Sequence, residues 1–328
     1  MLGIDLGSYA LKYFQTKKKR EGIFETIRSG ELVLPNEVFY EGEIKGKNTL
    51  VENIKIFWDK SRLPRDAVVS FYHPRMVVQN ITLPQMSDQE LENALKWEAS
   101  SIMTGEENIQ IGWQIIEKTN DKLDILYAAS PAIVVSEYLD VFRKAGIRIE
   151  AIEPQIMSFL KGFLTLRSDL TKDSWFILID VGFSKSTVVF FEHGKLVYSR
   201  HFGWGIRRIW DYLRDKFKLL PAEIQEILNR STQDSNLPYQ LEEALNDTSD
   251  SLLSELRRSL TFFQSEYEKI VLDNCFLVGG GSTIIPLKTM LSVNLNVTFQ
   301  DIKPIDVGHK KVVSSELYLS AMGASLWN

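Results

Sequence analysis

The apolar positions of this chain change their period from one block to the next. Residues 2–6 form a short apolar run, and residues 11–16 and 23–34 alternate loosely, as the strands of an antiparallel meander do. The segment NTLVENIKIFWDK (48–60) instead repeats at helical spacing, with Leu50, Ile54 and Phe57 on one face and Val51 and Trp58 beside them. AVVSFY (67–72) and VVQNITLP (77–84) return to a strand pattern. A helix start follows, where Ser87 and Glu90 have the spacing of a capping box and Leu91, Ala94, Leu95 and Ile102 make an apolar stripe behind it. Two further strands, ENIQIGWQII (107–116) and KLDILYAAS (122–130), lead into a helix from about Pro131 to Lys144 that stops near Gly146. Residues 64–147 thus read as a β-β-α-β-β-α module set into a larger domain. The module carries no catalytic constellation, which suits docking or packing.

The second half repeats the grammar of the first. After IRIEAIEP (147–154) a helix runs to about residue 167, and RSDLTKDS (167–174) reads as a linker. WFILIDVGFSKSTVVFFEHGKLVYSRHFGWG (175–205) then restates the N-terminus: an apolar strand, Asp, an aliphatic residue, Gly, small polar residues and an alternating strand. IDLGSYALKYF (4–14) and IDVGFSKSTVVFF (179–191) share their first tetrad pattern, and this echo is the most informative feature of the sequence. Residues 206–228 read as helical, 229–250 as a loop or partly helical insertion, and about 250–269 as a longer helix. CFLVGGG is a strand joined by GGGSTIIPLKTML to a helix, and SSELYLSAMGASLW is a terminal helix with small residues on one face.

Composition narrows the class without deciding it. A length of 328 residues suggests two or more structural units. The chain is 44% hydrophobic and 25% charged, an ordinary globular composition, and its net charge of −5 weighs against a dedicated nucleic-acid binder. The basic run Lys17-Lys18-Lys19-Arg20 reads most simply as a solvated hairpin tip, with membrane-surface contact as the lesser alternative. Cys275 is the single cysteine, so no intrachain disulfide forms, and the 4 histidines show no zinc spacing. No leader precedes the first patterned turn, and no run of about 18 apolar residues could span a bilayer. The expected location is cytosolic.

The chemistry enters with the Asp-x-Gly turns. Glycine after a strand permits close backbone approach, so successive N–H groups can point at phosphate oxygens, and the aspartate can hold a hydrated Mg²⁺. One such turn is weak evidence, because hairpins use Asp and Gly constantly. Two copies, at Asp5 and Asp180, could clamp a polyphosphate from both sides. Gly279-Gly280-Gly281-Ser282 lies between a strand and a helix, where it is either a plain turn or a loop that admits an adenosine ring or phosphate. Together the three loops favour nucleotide binding.

This order of motifs resembles the actin-like ATPase superfamily. The block inserted near residue 64 resembles the extra subdomain of the FtsA/PilM branch, and the PilM family of the type IV pilus inner-membrane platform is the nearest match. The similarity is carried by GIDLGSYALK (3–12), LPQMSDQELENALKWEA (83–99), ILYAASP (125–131), ILIDVGFSKS (177–186), LLSELRRSLTFF (252–263), FLVGGGS (276–282) and YLSAMGASL (318–326). It implies an α/β, ribonuclease H-like fold of two actin-like lobes with an inserted small α/β subdomain. The first lobe would comprise 1–63, 148–173 and 305–328, the module 64–147, and the second lobe 174–304, with a subdomain at about 206–270.

The resemblance implies an adaptor that binds the cytoplasmic N-terminal peptide of a PilN-like membrane protein, in a groove between the first lobe and the module. Other pilus platform proteins are implied as partners, with no nucleic acid, possible homo-oligomers, and membrane contact only through partners at the cytoplasmic face of the bacterial inner membrane. ATP with Mg²⁺ would sit in the interlobe cleft, turned over slowly at most. By position, Asp5 and Asp180 would serve the metal through water, and Gly7, Ser8, Tyr9 and Lys12 would form the first phosphate loop. Gly182, Phe183, Ser184 and Ser186 would form the second, and Gly279, Gly280, Gly281 and Ser282 the adenosine loop. Glu153 is the candidate to orient a water near the γ-phosphate, with a helix N-terminal charge as the equal alternative.

Several positions depart from the family pattern. Gly203-Trp204-Gly205 stands where a Gly-Gly pair is usual near the nucleotide, and Gln225 and Leu228 stand where Glu and Lys usually meet the adenosine. SSIMTGEEN lacks the usual proline, and Lys185 in the second loop either compensates electrostatically or faces solvent. The pocket is therefore expected to bind nucleotide weakly or to stay empty. A nucleotide-free scaffold like the cytoplasmic domain of the type II secretion protein GspL is the alternative function. A kinase of the same superfamily would need a base and substrate pocket that the sequence does not show, and a filament-forming FtsA relative would need a C-terminal amphipathic helix longer than SLWN.

Overall fold

The computed structural model describes residues 1–20, 23–40, 42–167, 170, 175–192, 195–231, 238–266, 274–302, 305–307 and 311–327. Most of the RSDLTKDS linker and the middle of the 229–250 segment lie outside these residues.

The first half opens with β1 (Leu2–Leu6), β2 (Ala10–Arg20) and β3 (Ile23–Val33), then the short pair β4 (Phe39–Tyr40) and β5 (Glu43–Ile44). It continues through α1 (Lys47–Ser61), β6 (Asp66–Phe71), β7 (Val77–Pro84), α2 (Asp88–Ile102), β8 (Ile109–Lys118), β9 (Lys122–Pro131), α3 (Ala132–Lys144), β10 (Arg148–Pro154) and α4 (Gln155–Leu166). The second half comprises β11 (Trp175–Val181), β12 (Ser186–Glu192), β13 (Lys195–Phe202), α5 (Arg207–Phe217), α6 (Pro221–Arg230), α7 (Tyr239–Thr248) and α8 (Asp250–Glu266). After it come β14 (Cys275–Val278), a 3-10 turn (Gly280–Thr283), α9 (Ile285–Leu295), β15 (Ile305–Val307), β16 (Lys311–Val313) and α10 (Ser315–Ser325).

The sequence echo is a structural one. The first sheet has the order β10-β6-β1-β2-β3 and the second β13-β12-β11-β14. In each, the Asp-bearing strand pairs antiparallel with the next strand in sequence and parallel with a distant one: β1 with β2 and β6, β11 with β12 and β14. Strands flanked in this way bury both faces, and Leu2–Leu6 and Phe176–Val181 are buried throughout.

The boundaries of the inserted module differ from the sequence expectation. β6 does not join it; this strand lies in the first sheet, its residues Ala67–Phe71 all buried between β1 and β10. α3 likewise covers that sheet, where Val134, Tyr138, Val141 and Phe142 pack with Leu50, Ile54 and Trp58 of α1. What remains is a three-stranded sheet, β7-β9-β8, backed by α2 through Leu91, Leu95 and Ala99. The predicted capping box at Ser87 and Glu90 starts α2. The module also leans on the second sheet, since Lys195 of β13 pairs with Glu117 and Asp124 at 2.7 and 2.8 Å and the Asn80 amide donates to the Leu196 carbonyl.

A shared aromatic core joins the lobes at the base of the cleft. Phe163 of α4 stacks on Phe176 and meets Phe276 edge-on, both at 4.7 Å, and Phe176 stacks on Phe191 at 4.8 Å. The small residues of α10 let this helix lie against α4: a Cβ on Gly323 would fall 1.8 Å from the Ser158 carbonyl oxygen, and one on Gly162 would fall 2.4 Å from that of Leu319. Glycine is required there by the closeness of the two backbones.

Candidate functional site

The two Asp-x-Gly motifs fold into the same turn. In the first, the Gly7 N–H donates to the Ala10 carbonyl at 3.2 Å; in the second, Gly182 donates to Lys185 at 2.9 Å. Each turn therefore holds four residues, Gly7-Ser8-Tyr9-Ala10 and Gly182-Phe183-Ser184-Lys185, and Lys185 takes the place of Ala10. The turns come from different sheets and meet across the cleft. The Ser8 hydroxyl donates to the Ser184 Oγ at 2.8 Å, and the rings of Tyr9 and Phe183 lie 5.0 Å apart. The Tyr9 hydroxyl also donates to Oε1 of Gln225 on α6 at 2.8 Å.

Behind these contacts lies a cavity of about 280 Å³. Asp5, Gly7, Ser8, Tyr9 and Lys12 line it from the first lobe, and Asp180, Gly182, Phe183, Ser184 and Lys185 from the second. Gly279 and Gly280 line it beyond the end of β14, with Thr283 following them. Strand register explains the placement of the charges. Lys12 is directly opposite Asp5 in the β1–β2 ladder, so both side chains leave the same face. Gly279 has φ +79° and ψ −176°, a region reserved almost wholly for glycine, and a Cβ there would stand 2.2 Å from the Asp180 Oδ1. The tight strand-to-turn passage is what lets Asp180 stay at the cleft floor.

The floor is a cluster of desolvated charges. Asp5 and Asp180 are 6% and 4% exposed. Burial pushes the Asp180 carboxyl up to about 6, against the pull of Lys185 and Lys12, and raises Asp5 in the same direction. Burial also lowers the Lys185 ammonium, which the two aspartates partly restore. Lys185 Nζ donates to Gln155 Oε1 at 3.0 Å and Thr187 Oγ1 at 3.1 Å, and lies 3.8 Å from the centre of the Tyr72 ring. Gln155 Nε2 donates onward to the Asp5 Oδ1 at 3.4 Å. His201 completes the group, bonded to Thr187 Oγ1 at 2.8 Å and 4.6 Å from the Tyr72 ring. Burial, with Lys185 nearby, brings the imidazole down to about 3, so it is neutral at physiological pH.

Four expected site residues lie elsewhere. Glu153 does not line the cavity; it is buried in β10 and accepts from Ser158 Oγ at 2.5 Å and Lys161 Nζ at 2.7 Å, so its charge is already committed. Two residues on, Gln155 at the start of α4 faces the cleft instead. Ser186 Oγ donates to the Trp204 carbonyl at 2.8 Å, Gly281 packs on Val181, and Ser282 Oγ turns back to the Gly279 carbonyl at 2.7 Å. Trp204, expected to crowd the pocket, is 2% exposed in the core of the second lobe, where its indole N–H donates to the Thr248 carbonyl at 2.7 Å. Gln225 and Leu228 do line the cavity. Tyr72 and Glu31 line it without having been anticipated. Tyr72 follows β6, and only its non-local pairing with β1 brings it there.

A second crevice, of about 200 Å³, lies beside the module and is lined by Met76, Val77, Val78, Ile102, Ile156 and neighbours. It shares Tyr72 and Gln155 with the cleft.

A family model described as type IV pilus assembly protein PilM matches residues 3–322. The chain belongs to the PilM family. A PilM-PilN type IV pilus biogenesis complex is similar in structure, with TM-score 0.83 and 20% identity, covering 99% of this chain and 97% of that one. The ethanolamine utilization protein EutJ from Carboxydothermus hydrogenoformans matches with TM-score 0.57 and 13% identity, over 100% of this chain and 89% of that one. The fold of this PilM-family chain is accordingly the actin-like α/β fold, two lobes about a cleft with a small inserted module. Among the described residues no helix is long and apolar enough to cross a membrane.

The cleft turns two glycine-bearing loops and two lysines toward a ligand, against four lining carboxylates, Asp5, Glu31, Asp180 and Glu316, and no group of three or more His, Cys, Asp or Glu able to hold a metal ion occurs among the described residues. The two carboxylates that could share a divalent ion already lie in the field of Lys12 and Lys185. The donor set does not fit Mg²⁺ held by the protein alone.

Proposed function

We propose that this PilM-family chain is a cytoplasmic adaptor of type IV pilus assembly, which binds an adenine nucleotide between its lobes and the N-terminal peptide of a PilN-like membrane protein beside its inserted module. The observation that carries the reading is the match of the whole fold to a PilM-PilN complex at TM-score 0.83, joined to the family match over residues 3–322. Through that peptide the chain would sit at the cytoplasmic face of the inner membrane. The crevice between β7, the end of α2 and the start of α4 supports a peptide groove, because it sets apolar side chains such as Val78, Ile102 and Ile156 beside polar ones such as Gln79 and Ser199 and borders the first lobe, the module and β13 together.

The nucleotide acts in this reading as a ligand that holds the lobes closed. A ligand that binds only the closed fold stabilises it by mass action, without turnover. Glu153 supports binding over rapid hydrolysis, since its carboxylate is engaged by Lys161 and Ser158 away from the cavity. The direct contacts Ser8–Ser184 and Tyr9–Phe183 favour a second reading, a scaffold that the protein closes by itself.

Two titrations decide. A synthetic peptide with the N-terminal sequence of a PilN-like protein from the same organism should bind the full chain by calorimetry; no heat with correctly folded protein refutes the adaptor. Millimolar ATP should raise the melting temperature, by the equivalent of about 2.7 kcal/mol at a hundredfold excess over Kd. An unchanged transition refutes the nucleotide and leaves the self-closed scaffold.

A further inference from the structure

The end of the first lobe away from the cleft carries positive charge that the cleft does not use. Gln15 stands opposite Leu2, so β2 runs on past the start of β1, and from Lys17 to Arg20 it forms about 13 Å of ribbon paired with β3 alone. Lys17, Lys18 and Lys19 are exposed on it. Lys17 is opposite Glu25 and Lys18 opposite Phe24, while Lys19 falls in the bulge that follows. Adjacent residues of a strand leave opposite faces, so the ribbon is positive on both. Glu25 turns to Lys19 at 3.2 Å, and Arg20 and Glu21 cancel in charge. The ribbon continues into a wider basic surface. Arg28, at its base, donates to the Ser61 and Arg62 carbonyls at 3.3 and 3.0 Å, which seats it on the C-terminal end of α1 beside Lys60. Arg65 then pairs with Asp59 at 2.8 Å, and Arg148 with Asp66 and Glu150 at 2.8 and 2.9 Å. Lys17, Lys18, Lys60 and Arg62 remain: among the described residues, none of them has a carboxylate within 4.0 Å. Cations at the end of α1 complement its dipole, but Lys17 and Lys18 stabilise no helix end. In a chain of net charge −5, this end keeps an excess of positive charge.

We propose that this end of the first lobe, with the β2–β3 ribbon at its tip, is a docking surface for an anionic phospholipid bilayer. Charge complementarity calls for an anionic partner, and two observations choose the bilayer among such partners. The cations stand on both faces of a projecting ribbon, a shape that mobile headgroups surround more completely than the rigid face of a duplex or a folded protein. Exposed apolar side chains accompany them: Ile27 is bulged out between Thr26 and Arg28 and is 40% exposed, and Met1, whose carbonyl accepts from the Thr16 N–H, is 43% exposed. Basic and apolar side chains side by side suit the headgroup boundary of a membrane. The surface stands apart from the peptide and nucleotide readings, and it departs from the family expectation that the membrane is met only through partners. It is also compatible with them in geometry. Phe71, the last residue of β6, lines the crevice, and Asp66 begins that strand at the basic end, so about 20 Å separates the two.

Co-sedimentation of the full chain with vesicles tests this. The wild type should sediment with vesicles of equal parts phosphatidylglycerol and phosphatidylcholine and not with phosphatidylcholine alone. Retention should be lost between about 0.1 and 1 M salt, as the Debye length falls from about 10 to 3 Å. Each lysine near an anionic leaflet is worth about fivefold in affinity, so Lys17→Gln with Lys18→Gln should weaken binding about twentyfold while leaving the melting temperature unchanged. Lys118→Gln with Lys122→Gln makes the same change of charge at exposed positions of the module and should leave binding within about twofold. Lys60→Gln with Arg62→Gln, on a separate element, should weaken it as the ribbon pair does, which keeps the test open if the ribbon variant fails to fold. Equal binding to both kinds of vesicle overturns the inference, as does undiminished binding by the ribbon variant or an equal loss in the module variant. Binding to a DNA duplex without binding to either vesicle overturns it in favour of a nucleic acid. The peptide and nucleotide titrations above are read separately, so none of these outcomes bears on them.

Discussion

Gly279→Ala should damage the protein at the point where the second lobe meets the cleft. Two costs add. The backbone at φ +79°, ψ −176° lies in a region nearly closed to residues with a Cβ, which costs about 1–3 kcal/mol. The new methyl would also stand 2.2 Å from Asp180 Oδ1 and 2.7 Å from the Val181 carbonyl oxygen, both anchored in the central strand β11. Relief requires the turn to move, weakening the bonds from Gly279 N–H to the Glu316 carbonyl and from Ser282 Oγ to the Gly279 carbonyl, each about 1 kcal/mol net. The sum is about 3–5 kcal/mol, or a fall in Tm of roughly 6–20 °C for a cooperative unit of this size. Urea unfolding followed by tryptophan fluorescence reads it, because Trp204 and Trp210 lie in the core of the second lobe. Gly105→Ala is the control: Gly105 also has positive φ, +88°, but a Cβ there meets nothing within 4 Å. It should lose only the backbone strain. Equal losses for the two variants would refute the argument that Gly279 exists to make room for Asp180.

Three further outcomes follow from the same contacts. Tyr9→Phe removes the hydroxyl bond to Gln225 and should destabilise lobe closure by about 1 kcal/mol, seen as faster hydrogen exchange in α6; unchanged exchange there refutes the clasp. Trp204→Ala empties a buried site and breaks the bond to Thr248, costing about 3–5 kcal/mol in denaturant, while nucleotide affinity stays within about threefold because the ring faces the core. For His201, the folded imidazole titrates near 3, below its ordinary value, so its contribution to stability is complete above about pH 6.5 and lost as the pH falls. Asp180, raised to about 6, works in the opposite sense, since the folded state takes up its proton first. The two trends offset, so His201→Gln should gain about 1–2 kcal/mol relative to wild type between pH 7 and 5; parallel denaturation curves would refute the assignment.

How far the sequence discloses this molecule depends on the range of each contact. The capping box at Ser87, the two Asp-x-Gly turns and the small-residue face of the last helix are local patterns, and each forms as its spacing predicts. β6 is local in pattern but not in partner. AVVSF reads as a strand, yet nothing within it says that it lies parallel to β1, so its membership in the first sheet stays hidden. Trp204 and Glu153 fail for another reason. Position along a motif places a Cα near the cleft, but one residue's rotation sends the side chain to the core or to Lys161. Gln155, two residues beyond Glu153, faces the opening because the chain turns from strand to helix between them. The strand-to-helix junction after EAIEP was the available signal.

The duplicated turn also explains why symmetry of sequence does not give symmetry of charge. Both copies end a buried central strand with an aspartate, and both close the same four-residue turn. A carboxylate so placed needs a cation. The first lobe supplies it across the ladder, with Lys12 opposite Asp5; the second has Thr187 at the matching position, opposite Asp180, which cannot. Lys185, two residues earlier and at the place of Ala10, restores the charge from within the turn. The cation thereby moves from the sheet face to the loop that touches the other lobe, where Tyr72, His201 and Gln155 surround it. Tyr72 and Gln155 also line the crevice beside the module. Tyr72 and Gln155 are thus the side chains through which the turn of the second lobe reaches the crevice, and any coupling between the two openings that passes through them would be reciprocal, as thermodynamic linkage requires.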